Sequence, residues 1–225
     1  MIWYKNLMTN PKVIIFDLDG TLIHSAPDLH SAINAMLDEL KRAPLCIDTV
    51  ISFIGDGVDK LVERSLRESG GYNTLLKQKA LVSFMAFYSE NMTTLTRPYP
   101  NVVSALQFFQ NAGIPLGICT NKPTKPAQEI CDRLDLTRFF NIIAGAENGQ
   151  AKKPNPTPLL NCIKKLGVQE SQALYVGDSS IDFYTALNAT VPFRLFSKGY
   201  LNEPLPDLSE SDTFHDWKAH GIQIS

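Results

Sequence analysis

Carboxylates, amines and small polar groups recur in this chain where apolar runs give out. Asp17-Leu18-Asp19-Gly20-Thr21 follows the run Val13–Phe16, and Gly177-Asp178 follows residues 173–176, with Asp182 four positions further on. Thr120-Asn121 follows residues 114–119, and Lys152-Lys153-Pro154 comes after the run at 140–144. A side-chain carboxyl with a pKa of about 3.9 needs no base to become a nucleophile. Asp17 can therefore attack phosphorus directly and split one hard displacement into two easier ones through an acyl phosphate. Asp19, in a turn that Gly20 permits, is placed to protonate a leaving alkoxide and then to deprotonate the attacking water. The bare D-x-D-G tetrapeptide also suits a calcium loop or a helix cap; its place at a strand end favours the catalytic reading. Asp17 and Asp178 could supply the carboxylates that Mg²⁺ prefers, with a backbone carbonyl from Asp19. That ion would offset repulsion between an anionic nucleophile and an anionic substrate.

The remaining groups are individually less specific. Asp178 alone could be a helix N-cap. Asp182 orients a lysine or a metal-bound water, or is a solvated helix residue. Thr120 and Asn121 can donate a hydroxyl and an amide to phosphoryl oxygens, or form an ordinary polar turn. Lys153 can neutralise charge on the transferring group, with Lys152 as the alternative.

These residues need a frame that gathers strand ends. Open α/β sheets bind ligands outside the carboxyl ends of their strands. The apolar runs at 13–16, 114–119, 140–144, 173–176 and 191–196 are continuous rather than alternating, as expected of parallel strands covered on both faces. Amphipathic stretches precede and separate the last four, with faces such as Val102, Leu106 and Phe109, or Leu159, Leu160, Ile163 and Leu166. Gly113, Gly145 and Gly167 mark junctions where left-handed turns are common. From about residue 23 to 97 the pattern is helix after helix, with no convincing strand. Leu29, Ile33, Met36, Leu37 and Leu40 make one stripe, Leu61, Val62 and Leu66 a second, and Leu81, Phe84, Met85 and Tyr88 a third. A crossover needs one helix, so this span reads as an inserted module. The fold expected is α/β: a Rossmann-like parallel sheet core, residues 10–23 and 97–225, with an all-helical cap domain at 24–96.

Composition narrows the class of partner. The chain has 225 residues, 44% hydrophobic and 20% charged, with a formal net charge of -2. That is ordinary globular composition, and it offers no global field for nucleic acid or acidic lipid. Cys46, Cys119, Cys131 and Cys162 show neither C-x-x-C pairing nor zinc spacing, so buried free thiols are expected. The opening MIWYKNLMTNPK lacks the apolar run of a signal peptide, and nothing approaches a membrane span. A cytoplasmic protein, monomer or homodimer, binding neither nucleic acid nor membrane, is the expectation.

Taken together, the motifs resemble those of the haloacid dehalogenase superfamily, in its phosphoglycolate phosphatase branch. DLDGTL at 17–22 is similar to the first motif, ICTNK at 118–122 to the second, KKPNPTPLL at 152–160 to the third and VGDSSID at 176–182 to the fourth. SAPDLHSAINAML, FIGDGVDKLVERSL and PYPNVVSAL also resemble this branch, while the first ten residues and the tail after Gly199 look individual. The resemblance implies Asp17 as nucleophile, Asp19 as general acid and base, and Thr120, Asn121 and Lys153 around the phosphoryl group. Mg²⁺ would rest on Asp17, the Asp19 carbonyl and Asp178, with Asp182 acting through a water. A cap loop at 54–57, with Gly55 and Gly57, would face the site and select the small phosphate ester, or be a flexible turn. Residues 186–192 lack the glycine usual before the final strand. Asp19 argues against a dehalogenase and against a phosphonatase, whose cap lysine Lys60 could otherwise mimic. A phosphomutase, or a phosphatase for a sugar phosphate, nucleotide or pyrophosphate, would carry the same core motifs. A silent phosphate-sensing scaffold would have lost one of Asp17, Asp19 and Asp178.

Overall fold

The computed structural model describes residues 10–201, 203–205 and 208–224. The first nine residues, part of the stretch without a signal-like run, lie outside the described residues. In chain order the strands are β1 (Val13–Phe16), β2 (Ile23–His24), β3 (Arg97–Pro98), β4 (Leu116–Pro123), β5 (Ile142–Ala146), β6 (Ala173–Gly177), β7 (Phe193–Phe196) and β8 (Thr213–Phe214). Six of them form a parallel sheet in the order β5-β4-β1-β6-β7-β8. The helices α1 (Ala26–Glu39), α2 (Ile47–Ile51), α3 (Val58–Glu68) and α4 (Thr74–Asn91) lie between β2 and β3. After β3 come α5 (Val102–Asn111), α6 (Thr124–Arg133), α7 (Thr157–Lys165) and α8 (Ser180–Ala189).

Central β1 is fully buried because both faces are covered. Ile14 and Phe16 enter one apolar cluster with Leu106, Phe109 and Ile130, whereas Val13 and Ile15 enter another with Leu159, Ile163 and Phe183. Side chains alternate across a strand, so the VIIF run serves two cores at once. The expected fold class is the one observed. Leu29, Ile33 and Met36 of α1 pack with Leu61 and Leu66 of α3 and Phe84 and Tyr88 of α4.

Several details depart from the expectations. Thr120-Asn121 do not follow a strand; β4 begins at Leu116 and runs through them to Pro123, with an irregularity in its pairing to β5 after Cys119. The helical span is bounded by an unforeseen two-stranded antiparallel ribbon, Ile23 opposite Pro98 and His24 opposite Arg97. The run at 191–196 is not the last strand, because β8 adds beyond it from the tail. Gly145 takes no left-handed turn; it sits in β5 because a Cβ there would press on the Lys122 carbonyl and the Thr124 backbone. Thr190 supplies the left-handed conformation, at φ 56, where a glycine was missing. Three thiols are buried but Cys46 is exposed.

The helical span is closed by a buried acid. Asp28, in the first turn of α1, accepts from Leu95 N at 2.9 Å, Thr96 N at 2.8 Å and Thr96 Oγ1 at 2.7 Å. It thus ties the way into the four helices to the way out of them.

Candidate active site

The β1–β4 register sets the site. Phe16 lies opposite Ile118 in β4 and opposite Val176 in β6, so the chain beyond all three strands emerges at one edge. Immediately after β1 the Leu18 carbonyl accepts from the backbone N–H groups of Thr21, Leu22 and Ile23, which curls the loop back over the edge. Gly20 turns this loop at φ +89, and a Cβ there would collide with the Asp178 carboxylate. Glycine is required on both counts.

Asp17, Asp178 and Asp182 converge, with one carboxylate oxygen from each within 4.8 Å of the others. Asp178 is not the N-cap of α8. Ser179 takes that place in a reciprocal capping box with Asp182, leaving Asp178 facing the site. Its Oδ1 accepts from Thr21 Oγ1 at 2.6 Å and its Oδ2 from Tyr200 N at 2.7 Å. Asp182 is fully buried rather than solvated. It accepts from Lys153 Nζ at 2.6 Å, Tyr175 Oη at 2.8 Å and Ser179 Oγ at 2.6 Å. Both of its oxygens are engaged by protein groups, the Lys153 ammonium among them.

Lys153, not Lys152, reaches the carboxylates. Its ammonium is 2.9 Å from Asp17 Oδ1, an ion pair that is not aligned as a hydrogen bond; that oxygen is buried and lacks any hydrogen-bond partner. Lys152 lies instead beside the 54–57 loop, near the space a Cβ on Gly57 would fill. Burial raises Asp17 to about 6 against the pull of Lys153, with the charge of Asp182 adding to the rise. Burial, then the charges of Asp182 and Asp17, push Asp178 well above the ordinary carboxyl range. Asp182 is buried too, but the Lys153 ammonium outweighs that and holds it low.

Thr120 accepts from Lys122 N at 3.2 Å, and its hydroxyl keeps its own proton to donate. Asn121 behaves differently from the expectation. Its amide donates to the carbonyls of Gly55 and Lys153, both at 3.0 Å, and its Oδ1 accepts from Lys153 N at 2.9 Å. Both amide protons are committed, so this side chain fastens the 54–57 loop and the Lys153 backbone to β4. Gly57 approaches from that loop at φ +87, 3.0 Å from the Asn121 carbonyl to its would-be Cβ. A cavity of about 30 Å³ remains between Asp17, Asp19, Ile54, Gly55, Leu61 and Lys122, room for a water or two.

Two residues escaped the sequence reading. Lys122 Nζ lies 3.0 and 3.2 Å from the Asp19 oxygens and 2.8 Å from Tyr88 Oη of α4. Burial alone would lower this ammonium, yet Asp19 and Tyr88 hold it above its usual value. Burial likewise drives the Tyr88 phenol up to about 12. Lys122 was visible only as part of a motif, and Tyr88 only as one more apolar position in a helical stripe.

Known proteins can be set beside this geometry. The family model described as haloacid dehalogenase-like hydrolase matches residues 14–196. A phosphoglycolate phosphatase of Cereibacter sphaeroides is 39% identical over 206 residues, spanning 90% of this chain and 94% of its own. One from Neisseria gonorrhoeae is also 39% identical, over 90% of this chain and 86% of its own. Among solved structures, a predicted phosphoglycolate phosphatase from Haemophilus somnus superposes with a TM-score of 0.88 at 31% identity, covering 93% of this chain and 96% of that one. No helix among the described residues is long and apolar enough to cross a membrane.

Proposed function

The chain belongs to the haloacid dehalogenase-like hydrolases, and from that premise we propose that it is a Mg²⁺-dependent phosphatase acting on a small phosphate monoester, 2-phosphoglycolate. The observation that carries this reading is the buried Asp17 carboxylate, ion-paired with the Lys153 ammonium and gathered with two further acids, Asp178 and Asp182. The substrate follows from the relatives at 39% identity, which are named for phosphoglycolate.

The donor set fits a hard dication. Four carboxylates, Asp17, Asp19, Asp178 and Asp182, share the cleft with two ammonium groups, Lys122 and Lys153, and Asp178 is met only by neutral donors. Mg²⁺ would be held by Asp17, Asp178 and the Asp19 carbonyl, and when bound it would screen the substrate's charge from the nucleophile.

Asp17 attacks phosphorus and is phosphorylated, while Asp19 gives a proton to the departing alkoxide. Lys153, kept in place by Asp182 and Tyr175, balances charge on the phosphoryl oxygens, and the Thr120 hydroxyl donates to one of them. Asp19 then takes a proton from water, which cleaves the acyl phosphate and frees Asp17. The helices of residues 24–96 act as a cap. They would lift to admit the ester and close to exclude water from the first step. Asn121, through Gly55, is the latch point of the closed form.

The test is phosphate release from 2-phosphoglycolate, glucose 1-phosphate, pyrophosphate and a nucleoside monophosphate, with and without chelator. Turnover of phosphoglycolate that chelator abolishes and Mg²⁺ restores is expected. Preference for another ester would overturn the substrate, and chelator-resistant turnover would overturn the metal.

A further inference from the structure

The contact between Asp19, Lys122 and Tyr88 spans the two parts of the fold, as the Asn121–Gly55 bond does, but it alone of the two engages a site carboxylate. Asp19 and Lys122 come from the sheet edge, whereas Tyr88 comes from α4. An ammonium has three protons. Here two go to the Asp19 oxygens and one to the Tyr88 hydroxyl. The Lys122 side chain is 2% exposed, so water is a poor replacement for any of these partners. Tyr88 is itself fixed, stacked on Phe84 at 5.4 Å between ring centroids, and the ammonium lies 4.9 Å from its ring centre. A carboxylate gripped through both oxygens has its plane and reach defined. When α4 lifts, Lys122 loses an acceptor and a ring face at once, and its hold on Asp19 loosens.

We propose that Lys122 and Tyr88 are positioning residues for Asp19, so that this carboxylate is held ready for proton transfer only while the four helices are seated on the sheet edge. The inference rests on the reading of Asp19 as the general acid. Its consequence is chemical timing: an ester that has entered but is not yet enclosed meets a nucleophile without an aligned acid, and alkoxide departure waits for closure. A misplacement of about 1 Å in such a group can slow a reaction roughly 10²-fold.

The experiment compares two substrates of similar size in a single turnover, reading phosphate transferred to Asp17 by rapid acid quench. With 2-phosphoglycolate the leaving group is an alkoxide that needs a proton; with acetyl phosphate it is acetate, which needs none. For Asp19→Asn, transfer from phosphoglycolate should fall about 10²- to 10⁴-fold, the span of general acid catalysis, and transfer from acetyl phosphate far less. Tyr88→Phe, which keeps the stacked ring and should fold normally, is expected to slow phosphoglycolate transfer about 10-fold, and Lys122→Met about 10²-fold, both leaving acetyl phosphate within about twofold. Equal slowing with both substrates in these two variants would mean a merely structural role and sink the inference. If Asp19→Asn is selective but they are not, the clasp is wrong and the acid assignment stands. If Asp19→Asn itself shows no selectivity, the acid assignment falls and the inference falls with it.

Discussion

Replacing Asp28 by alanine tests whether one buried carboxylate closes the helical span by tying its entry to its exit. In the folded chain its oxygens receive the N–H groups of Leu95 and Thr96 and the Thr96 hydroxyl at 2.7–3.0 Å. Thr96 is wholly buried, so its N–H and O–H would both be stranded, each at about 1–3 kcal/mol. The Leu95 side chain is half exposed, and its N–H can turn to water at little cost. Loss of an acid from the first turn of α1 adds about 0.5 kcal/mol. Asp28→Ala should therefore destabilise by about 2.5–6.5 kcal/mol, a large share of the 5–15 kcal/mol typical of a folded domain. Asp28→Asn keeps a carbonyl oxygen for Thr96 and loses mainly charge assistance, about 1–2 kcal/mol. Urea titration measures both, and the midpoint should move with the slope unchanged. A loss below about 0.5 kcal/mol for the alanine variant, or an asparagine variant as weak as the alanine one, would show that the reasoning from stranded donors is wrong.

Tyr175→Phe removes a hydroxyl lying 2.9 Å from Lys153 Nζ and 3.0 Å from the Cys119 carbonyl; denaturation should show a loss of about 2 kcal/mol, and steady-state kinetics a drop in kcat rather than a rise in KM. Gly20→Ala forces a side chain to φ +89 and into the Asp178 carboxylate, so Mg²⁺ activation curves should shift to much higher metal concentration. Hydrogen bonds from Lys77 and Lys60 hold Glu63 at about 2. A depressed carboxyl stabilises the fold above its unfolded value of about 4.3 and ceases to as pH falls toward the folded one. The stability difference between the wild type and Glu63→Gln, read from urea midpoints, should be full at pH 6 and shrink steadily below about pH 4.5.

The sheet could be read in the chain wherever burial was two-sided. Val13–Phe16 is β1 to the residue, because a strand covered on both faces needs four apolar side chains in a row. Where pairing continued past the apolar residues the boundary was misjudged: β4 carries on through Thr120, Asn121 and Lys122, since a ladder depends on backbone groups and not on side-chain polarity. The ribbon of β2 and β3 has two residues a side, too few to show a period. β8 is equally short and is drawn in by packing, with Phe214 and Trp217 seated against Phe196 and, for Trp217, against Phe16 as well. Nothing near Trp217 in the sequence points to Phe16, about 200 positions earlier.

The acids of the site were legible and the division of labour among its cations was not. Asp17 and Asp19 announce themselves by spacing after a strand, and Asp178 and Asp182 repeat the device after another. Which lysine serves which acid depends on where β4 and the segment after β5 end relative to β1. The structure gives Lys153 to Asp17 and Asp182, and Lys122 to Asp19 and Tyr88. Asp17 and Asp19 thus have separate cations, which suits the proposed division into nucleophile and proton donor. Had one lysine bridged both Asp17 and Asp19, a displacement of one carboxylate would have disturbed the other. Two lysines keep the pairs separate: Asp182, rooted in the capping box of α8, holds the Asp17 partner, while Tyr88 ties the Asp19 partner to α4, one of the helices that move in the proposed mechanism.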